Sequence, residues 1–267
     1  MQAAIEMHHA YARFMAPFTE AILEATALAP RDRVLDVGCG TGDTTIEAAR
    51  AVPDGFAHGV DREPQVIAFA RGRALGEGLA QASFCVADAG VHVLDDGGFD
   101  HVISRNGTLH FQDPVRAHAN LRRALRGGGQ LTATAPRSPD HNPWFTTMMR
   151  AIHRVTGPPG PRRTDHGSVA AGGPFVLADA DRIFAILTEA GWHDVGIEPY
   201  DTALCVGADV DDALAFFAAT DGAPLRRALD EGTWSRVMAS LADALAPHAT
   251  PNGVYLGASS WVVTARA

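Results

Sequence analysis

Lysine is missing from this chain: all 22 of its Lys-or-Arg positions are arginine. Schiff-base chemistry on a lysine, or a lysine acting as base, is therefore excluded. Cysteine is almost as scarce. Cys39, Cys85 and Cys205 lie far apart, form no metal-ligand pair and read as reduced, mostly buried thiols of a cytoplasmic protein. No apolar run approaches the roughly 20 residues that span a bilayer, and the amino terminus lacks a basic-then-apolar signal pattern. A basic run is also lacking, and the net charge is −9. Proteins that grip a phosphate backbone carry a basic stripe, so nucleic acid is not an expected partner. Repeats and low-complexity segments are absent too. What is present is an ordinary globular composition, 46% hydrophobic and 20% charged, in 267 residues. That length suits one large domain or a core with an added subdomain.

The chain is organised around residues 33–45, Arg-Val-Leu-Asp-Val-Gly-Cys-Gly-Thr-Gly-Asp-Thr-Thr. Val34, Leu35 and Val37 read as a buried strand. Glycine then occupies every second position (Gly38, Gly40, Gly42) before Asp43, Thr44 and Thr45 open a helix. Such a loop brings backbone N–H groups and the positive end of a helix up to a ligand. It predicts a nucleotide-like cofactor on the first strand–helix turn of an α/β sheet.

Upstream, Ile5, Ala12, Met15, Phe18, Ile22 and Leu23 fall at helical spacing, and Pro17 predicts a break into two helices. His8 and His9 are adjacent and point about 100° apart, so they are expected to be solvated rather than joint metal ligands. Downstream, a helix over 43–51 has Thr44 and Glu47 at capping-box spacing. Strands follow at 56–60, 83–87, 99–104 and 130–135, the first three ending in Asp61, near Asp88 and at Ser104. Pro64 starts a helix that runs to Gly76, and Asp113-Pro114 starts one stopped by Gly127-Gly128-Gly129. Alternation of strand and helix implies a mostly parallel sheet with helices on both faces. The crossover rule then collects the strands' carboxyl ends on one edge: the glycine loop, Asp61, Asp88 and Ser104-Arg105-Asn106. After Ala135 the pattern breaks. A helix at 143–155 precedes an irregular stretch, 156–174, that reads as a lid or binding loop. A helix at 177–191, a strand at 193–202, helices within 209–246 and a last strand at 254–264 complete the chain.

A dinucleotide fingerprint spaces its glycines G-x-G-x-x-G, whereas this loop reads G-x-G-x-G. Asp36 and Asp43 add negative charge that would oppose a pyrophosphate and suit a ligand bearing an amine or sulfonium. Asp61 is placed for two ribose hydroxyls, and Asp88-Ala89 for an adenine amino group. Each acid alone has a plain reading as a cap or a solvated loop residue. Three of them at the ends of three consecutive strands point to one bound nucleoside.

On Val34–Gly42, Asp61, Asp88-Ala89 and Leu121–Gly129, the chain resembles the class I S-adenosylmethionine-dependent methyltransferases. It is similar to their small-molecule branch, related to quinone-biosynthesis C-methyltransferases, over residues 30–135. Asn142-Pro143-Trp144 and the helices of 209–246 resemble further parts of such proteins. The resemblance implies a Rossmann-like α/β fold, a seven-stranded mostly parallel sheet whose last strand is antiparallel, with N-terminal helices and a helical cap. It implies a helical lid at 1–29 and a cofactor-binding core of 30–137, 177–204 and 252–267. A lid loop and substrate-binding cap would be formed by 138–176 and 205–250. S-adenosylmethionine would be the cofactor and S-adenosylhomocysteine the product. Gly38, Cys39, Gly40, Thr41, Gly42 and Thr44 would cradle the methionine portion and ribose, with Asp36 near the amine. Asp61, followed by Arg62, would hold the ribose hydroxyls; Asp88 and Ala89 would hold the adenine. Ser104, Arg105 and Asn106 would lie under the methionyl group, and Tyr11 would close over the cofactor.

Related chains are mostly apolar after the fourth strand; here the run is Ser104-Arg-Asn-Gly-Thr-Leu-His-Phe111. Asn106, Thr108 and His110 put polar groups where an acceptor would meet the methyl. His110 is the candidate general base, because imidazole titrates near neutrality; its plain alternative is packing at the loop base. His141 and His166 are lesser candidates in the lid, and His101, inside a strand, reads as structural. A metal-assisted mechanism would need clustered carboxylates after the fourth strand, and Asp113 there is better explained as a helix cap, so no metal is expected. Trp144, Phe145, Phe175, Phe216, Phe217 and Trp234 are candidates for an apolar pocket or for the core of the cap. The expected activity is methyl transfer to an oxygen or carbon of a small molecule in bacterial specialised metabolism. A SAM-binding enzyme that cyclises or isomerises instead is the alternative. A homodimer is compatible with this reading.

Overall fold

The computed structural model describes residues 2–92, 94, 97–157 and 173–267, with backbone alone for 2–7, 109 and 110. Helix α1 (Gln2–Thr26) leads into β1 (Arg33–Val37), α2 (Asp43–Ala51), β2 (Phe56–Asp61), α3 (Pro64–Gly76), β3 (Ala82–Val86) and β4 (Phe99–Arg105). After a 3-10 turn at Gly107–His110 come α4 (Pro114–Ala124), β5 (Leu125–Pro136), α5 (Pro143–Thr156), α6 (Ala180–Glu189) and β6 (His193–Gly207). The chain closes with α7 (Val210–Ala219), α8 (Ala223–Ala228), α9 (Glu231–Leu245), β7 (Ala249–Thr250) and β8 (Gly253–Arg266).

The strand order is β3-β2-β1-β4-β5-β8-β6, with the two-residue β7 paired to β8. β1 is parallel to β2 and β4, β2 to β3, and β4 to β5, while β8 runs antiparallel to β5. This is the expected Rossmann-like sheet, with β7 as an eighth, minimal strand. Its order reverses between β1 and β4. At such a switch point the crossovers leave in opposite directions and open a crevice at the strands' carboxyl ends. The loops after β1 and β4 lie there.

Two compact units divide the chain. The larger comprises Phe18–Arg137, Gly172–Tyr200 and Ser260–Ala267; the smaller comprises Met1–Pro17, Ser138–Ala171 and Asp201–Ser259. In the larger, Leu35, Val102, Leu121, Leu131 and Leu187 are core residues with essentially no exposure. The smaller has its own core, in which Ala151 and Ile152 of α5 meet Phe217, Trp234, Val237 and Leu241. Asn142 is a buried polar anchor in that unit. Its side chain accepts from the Ser259 N–H (3.0 Å) and donates to the carbonyls of Ser138 and Ser259 (3.1 Å each).

Four local expectations need correction. Pro17 sits inside one continuous helix rather than breaking it; a single lost N–H bond is outweighed by an apolar face, with Phe14, Met15, Phe18 and Ile22 buried on both sides of it. Gly127-Gly128-Gly129 does not end α4 but lies within β5, which starts at Leu125. Thr44 is no N-cap: Gly42 holds that position in the left-handed region, and Thr44 is buried. His8 is buried rather than solvated, while His9 is exposed. Asp113 does cap α4, accepting from the Arg116 N–H at 3.0 Å.

Candidate functional site

Each glycine of the first loop has a distinct reason to be glycine. Gly38, Gly40 and Gly42 have φ of 71°, 53° and 88°, which disfavour a side chain. A Cβ on Gly38 would lie 2.6 Å from Cα of Gly107, and one on Gly42 would lie 2.9 Å from Cβ of Ala70. At Gly40 a Cβ would meet nothing within 4 Å among the described residues. The first and third glycines therefore serve protein packing. The second faces open space, where a ligand can approach the backbone.

The loop is tied down from β2. The N–H groups of Gly38 and Cys39 both donate to the Val60 carbonyl, at 2.9 and 3.1 Å. The Gly40 N–H donates to Asp61 Oδ2 at 3.0 Å, and the Glu63 N–H donates to Asp61 Oδ1 at 3.0 Å. Each carboxylate oxygen accepts more than one hydrogen bond, so Asp61 can shape the loop and still receive ribose hydroxyls. Arg62 beside it is exposed. Asp88 is exposed at the end of the third strand, where its Oδ1 accepts from Gly90 N–H at 2.9 Å. Ala89 is buried, and its carbonyl accepts from the Asn120 side chain at 2.8 Å.

The two acids flanking the loop differ in charge balance. Asp43 is met by Arg73 on Oδ1 (2.7 Å) and by Arg105 on Oδ2 (3.3 Å). Its charge is neutralised by protein, so it does not supply the electrostatic preference for a cation assigned to it from sequence. Asp36 is different. It is 1% exposed, Thr45 Oγ1 donates to its Oδ2 at 2.6 Å, and its Oδ1 has no hydrogen-bond partner among the described residues. Burial pushes its carboxyl up to about 6, against the lowering effects of the Thr45 bond and the Arg105 charge. Burial and the nearby acids likewise drive the Cys39 thiol far up, so it is an inert packing group. Thr41 is half-buried, its hydroxyl 3.4 Å from Asp43 Oδ2.

After β4, Ser104 is fully buried. Its hydroxyl donates to the Val37 carbonyl (2.8 Å) and accepts from the Thr108 N–H (3.2 Å). It thus fastens the second loop to the first. Arg105, besides meeting Asp43, donates to Thr19 Oγ1 of α1 at 2.8 Å. Asn106 takes φ 61°, and its Oδ1 accepts from Thr134 Oγ1 at 3.1 Å. His110 ends the 3-10 turn, but its side chain lies outside the described residues, as does His166 entirely. His141 is exposed and bonded to Ser138 Oγ at 3.0 Å, and His101 is held by Asp32 at 3.0 Å. Sequence reasoning missed Gly107, Arg73 and Thr19. Gly107 is foreshadowed only by being the glycine nearest the end of β4.

Within the smaller unit, Tyr11, Phe14, Trp144, Phe216 and Phe217 line a cavity together with Asp221. Of the six aromatic residues that are candidates for an apolar pocket or for the core of the cap, Trp144, Phe216 and Phe217 line this cavity. Trp234 stacks behind Phe217 at 6.4 Å, and Phe175 is buried in the larger unit. Among the described residues there is no cluster of three metal-ligating side chains and no helix long and apolar enough to cross a membrane.

The strand order, the two interlocked loops and the acid-flanked glycine turn define the class I methyltransferase fold. Residues 28–157 match the family described as "Methyltransferase domain". A demethylmenaquinone methyltransferase of Roseiflexus castenholzii is 30% identical over 170 residues, 61% of this chain and 68% of that protein. Aklanonic acid methyltransferase DauC of a Streptomyces species is 32% identical over 124 residues, 46% of this chain and 56% of that relative, less than two thirds of its length. The crystal structure of the [4+2]-cyclase SpnF superposes with a TM-score of 0.56 at 22% identity, covering 94% of this chain and 79% of that one, a likeness of fold. The chain belongs to the S-adenosylmethionine-dependent methyltransferase family.

The residues present fit that cofactor. A buried carboxylate oxygen with no partner among the described residues, an open approach at Gly40 and a half-buried carboxylate at Asp61 suit a ligand with cationic and hydroxyl groups.

Proposed function

We propose that this protein methylates an oxygen or carbon of a small molecule in bacterial specialised metabolism. The observation that carries the reading is the acid-lined glycine turn: Asp36, with one buried oxygen unpaired among the described residues, and Asp61, bonded to the Gly40 N–H. Bound there, S-adenosylmethionine supplies an electrophilic methyl on a sulfonium. Asp36 favours the cationic end of the ligand; Asp61, with Arg62 beside it, takes the ribose, and Asp88 with Ala89 the adenine. Ser104 keeps the two loops in register, and Arg105 joins α1 to the start of α2. Alignment of nucleophile and methyl can supply about 7–11 kcal/mol of the barrier, and a general base about 10²–10⁴-fold. Positioning therefore dominates, with His110 as the base that accepts the acceptor's proton. The relatives named for aklanonic acid and demethylmenaquinone support a small-molecule acceptor rather than nucleic acid. The free cysteines favour a cytoplasmic setting.

The lid of 1–29, the core of 30–137, 177–204 and 252–267, and the cap of 138–176 and 205–250 are the parts proposed to divide this work. Incubation with methyl-labelled cofactor and a panel of phenolic, enolic and quinol acceptors tests the reading. Label should enter the acceptor, with one S-adenosylhomocysteine released per product. Turnover of an acceptor with no release of demethylated cofactor would favour cyclisation or isomerisation, which this fold also accommodates.

A further inference from the structure

We propose that the cavity of the smaller unit binds a planar aromatic ligand through a protonated amine held by Asp221. The cavity lies wholly within that unit and is walled by five aromatic side chains, Tyr11, Phe14, Trp144, Phe216 and Phe217. Phe14 is central to the wall: its ring centre is 5.5 Å from Trp144, nearly perpendicular at 79°, and 5.7 Å from Phe216. Phe217 is backed by the parallel ring of Trp234. The polar edge of Trp144 is already used, since its indole N–H donates to Asn142 Oδ1 at 3.0 Å. Thr220 is likewise spent, donating to the Phe216 carbonyl at 2.7 Å.

Among the described residues, Asp221 is the one charged residue in this lining. It is reached by solvent on one side and makes no hydrogen bond or ion pair among the described residues. It does not cap α8, whose N-cap is Gly222 with no side-chain bond. A lone carboxylate at the mouth of a ring-lined cavity is complementary to a cation on two counts. Carboxylate–ammonium hydrogen bonds are stronger than neutral ones, and aromatic faces attract cations. The same carboxylate, in a chain of net charge −9, repels a phosphate or carboxylate ligand. The cavity therefore selects against phosphorylated acceptors.

The inference rests on the methyltransferase reading only for the ligand's role as acceptor; binding is read without turnover. The test is calorimetric titration of the full chain with three probes that share one ring system: tryptamine, 3-methylindole and indole-3-acetate. Tryptamine should bind at least about tenfold tighter than 3-methylindole, and indole-3-acetate weakest. Asp221→Asn should reduce tryptamine affinity to that of 3-methylindole while its melting curve matches wild type; Phe216→Ala should weaken tryptamine and 3-methylindole alike. Equal binding of all three probes, preference for the acid, absence of binding at millimolar concentration, or an unchanged Asp221→Asn variant would each overturn the proposal. S-adenosylhomocysteine titrated into the same sample keeps the two readings apart. If it binds while the amine preference fails, only the cavity assignment falls; if it fails while the preference holds, only the cofactor reading falls.

Discussion

Gly38 and Gly107 come together across the switch point so closely that neither tolerates a side chain. A Cβ on Gly107 would stand 2.2 Å from the Val37 carbonyl oxygen and 2.9 Å from Cα of Gly38. Gly107→Ala must push the two loops apart, and overpacking of this kind costs about 1–3 kcal/mol. The expected result is a lower melting temperature together with weaker cofactor binding. Gly40→Ala is the contrasting variant. It meets no neighbour among the described residues, so its stability cost is that of the left-handed backbone, about 1–2 kcal/mol. Its added methyl enters the space assigned to the cofactor, so affinity should fall disproportionately. Calorimetry with S-adenosylhomocysteine, alongside thermal melts of both variants, separates the two effects; proportional losses in both would show that the space at Gly40 is not the cofactor's.

Asp61 ties down the loop with the same carboxylate that is proposed to hold the ligand. Asp61→Ala removes the acceptor for the Gly40 and Glu63 N–H groups and the proposed acceptor for the ribose. Loss of charged hydrogen bonds of this kind costs roughly 1.5–3 kcal/mol each. Asp61→Asn keeps one oxygen acceptor and should bind S-adenosylhomocysteine with intermediate affinity. If both variants bind like wild type, the ribose is held elsewhere.

The architecture was legible in the sequence because alternation of strand and helix, and an acid at each strand end, are local signals. Asp36, Asp61 and Asp88 became candidates in that way. The contacts that lock the site are not local. Gly38 needs Gly107, Ser104 needs the Val37 carbonyl, and Asp43 needs Arg73 and Arg105; none of these pairs has a spacing rule. Asp43 consequently looked like an uncompensated charge. Pro17 misled for a related reason: propensity prices one lost backbone bond, whereas burial of the helix face on both sides of it is a tertiary gain. The triple glycine likewise read as a stop, although Gly129 is close-packed in β5, where a Cβ would lie 3.0 Å from the Asp100 carbonyl.

Asp36 should make the protein's stability and its cofactor affinity depend on pH in opposite senses. Its carboxyl is raised from 3.8 to about 6, so the folded state binds its proton more tightly than the unfolded chain. The contribution of this group is fully favourable below about 4 and is lost as pH rises to about 6, by on the order of 3 kcal/mol. Wild type minus Asp36→Asn, in denaturant melts from pH 4 to 7, should trace that decline. A cationic ligand near Asp36 favours the ionised form, so cofactor binding should tighten from pH 5 to 7 and release a proton near pH 6. Titrations in two buffers of different ionisation heat measure that proton, and a pH-independent difference between wild type and variant would remove Asp36 from both roles.

His110 follows the second loop, and its expected signature is kinetic. His110→Ala should lower kcat by about 10²–10⁴-fold while leaving S-adenosylhomocysteine affinity unchanged. A variant with full kcat would assign His110 to packing.

Asp43 tests how the turn discriminates between ligands of opposite charge. In Asp43→Asn, Arg73 and Arg105 lose the carboxylate that neutralises them, directly beside the amino end of α2. A helix amino terminus carrying two arginines is an anion site. The variant should therefore lose affinity for S-adenosylmethionine and gain measurable binding of inorganic pyrophosphate, both read by calorimetry. Adding Arg73→Gln should reverse part of the gain, because it removes one of the two arginine charges. If Asp43→Asn leaves both affinities where they were, the choice of a sulfonium ligand over a pyrophosphate is made by Asp36 and Asp61 alone, and the arginine pair serves only to hold α1, α2 and α3 together at the turn.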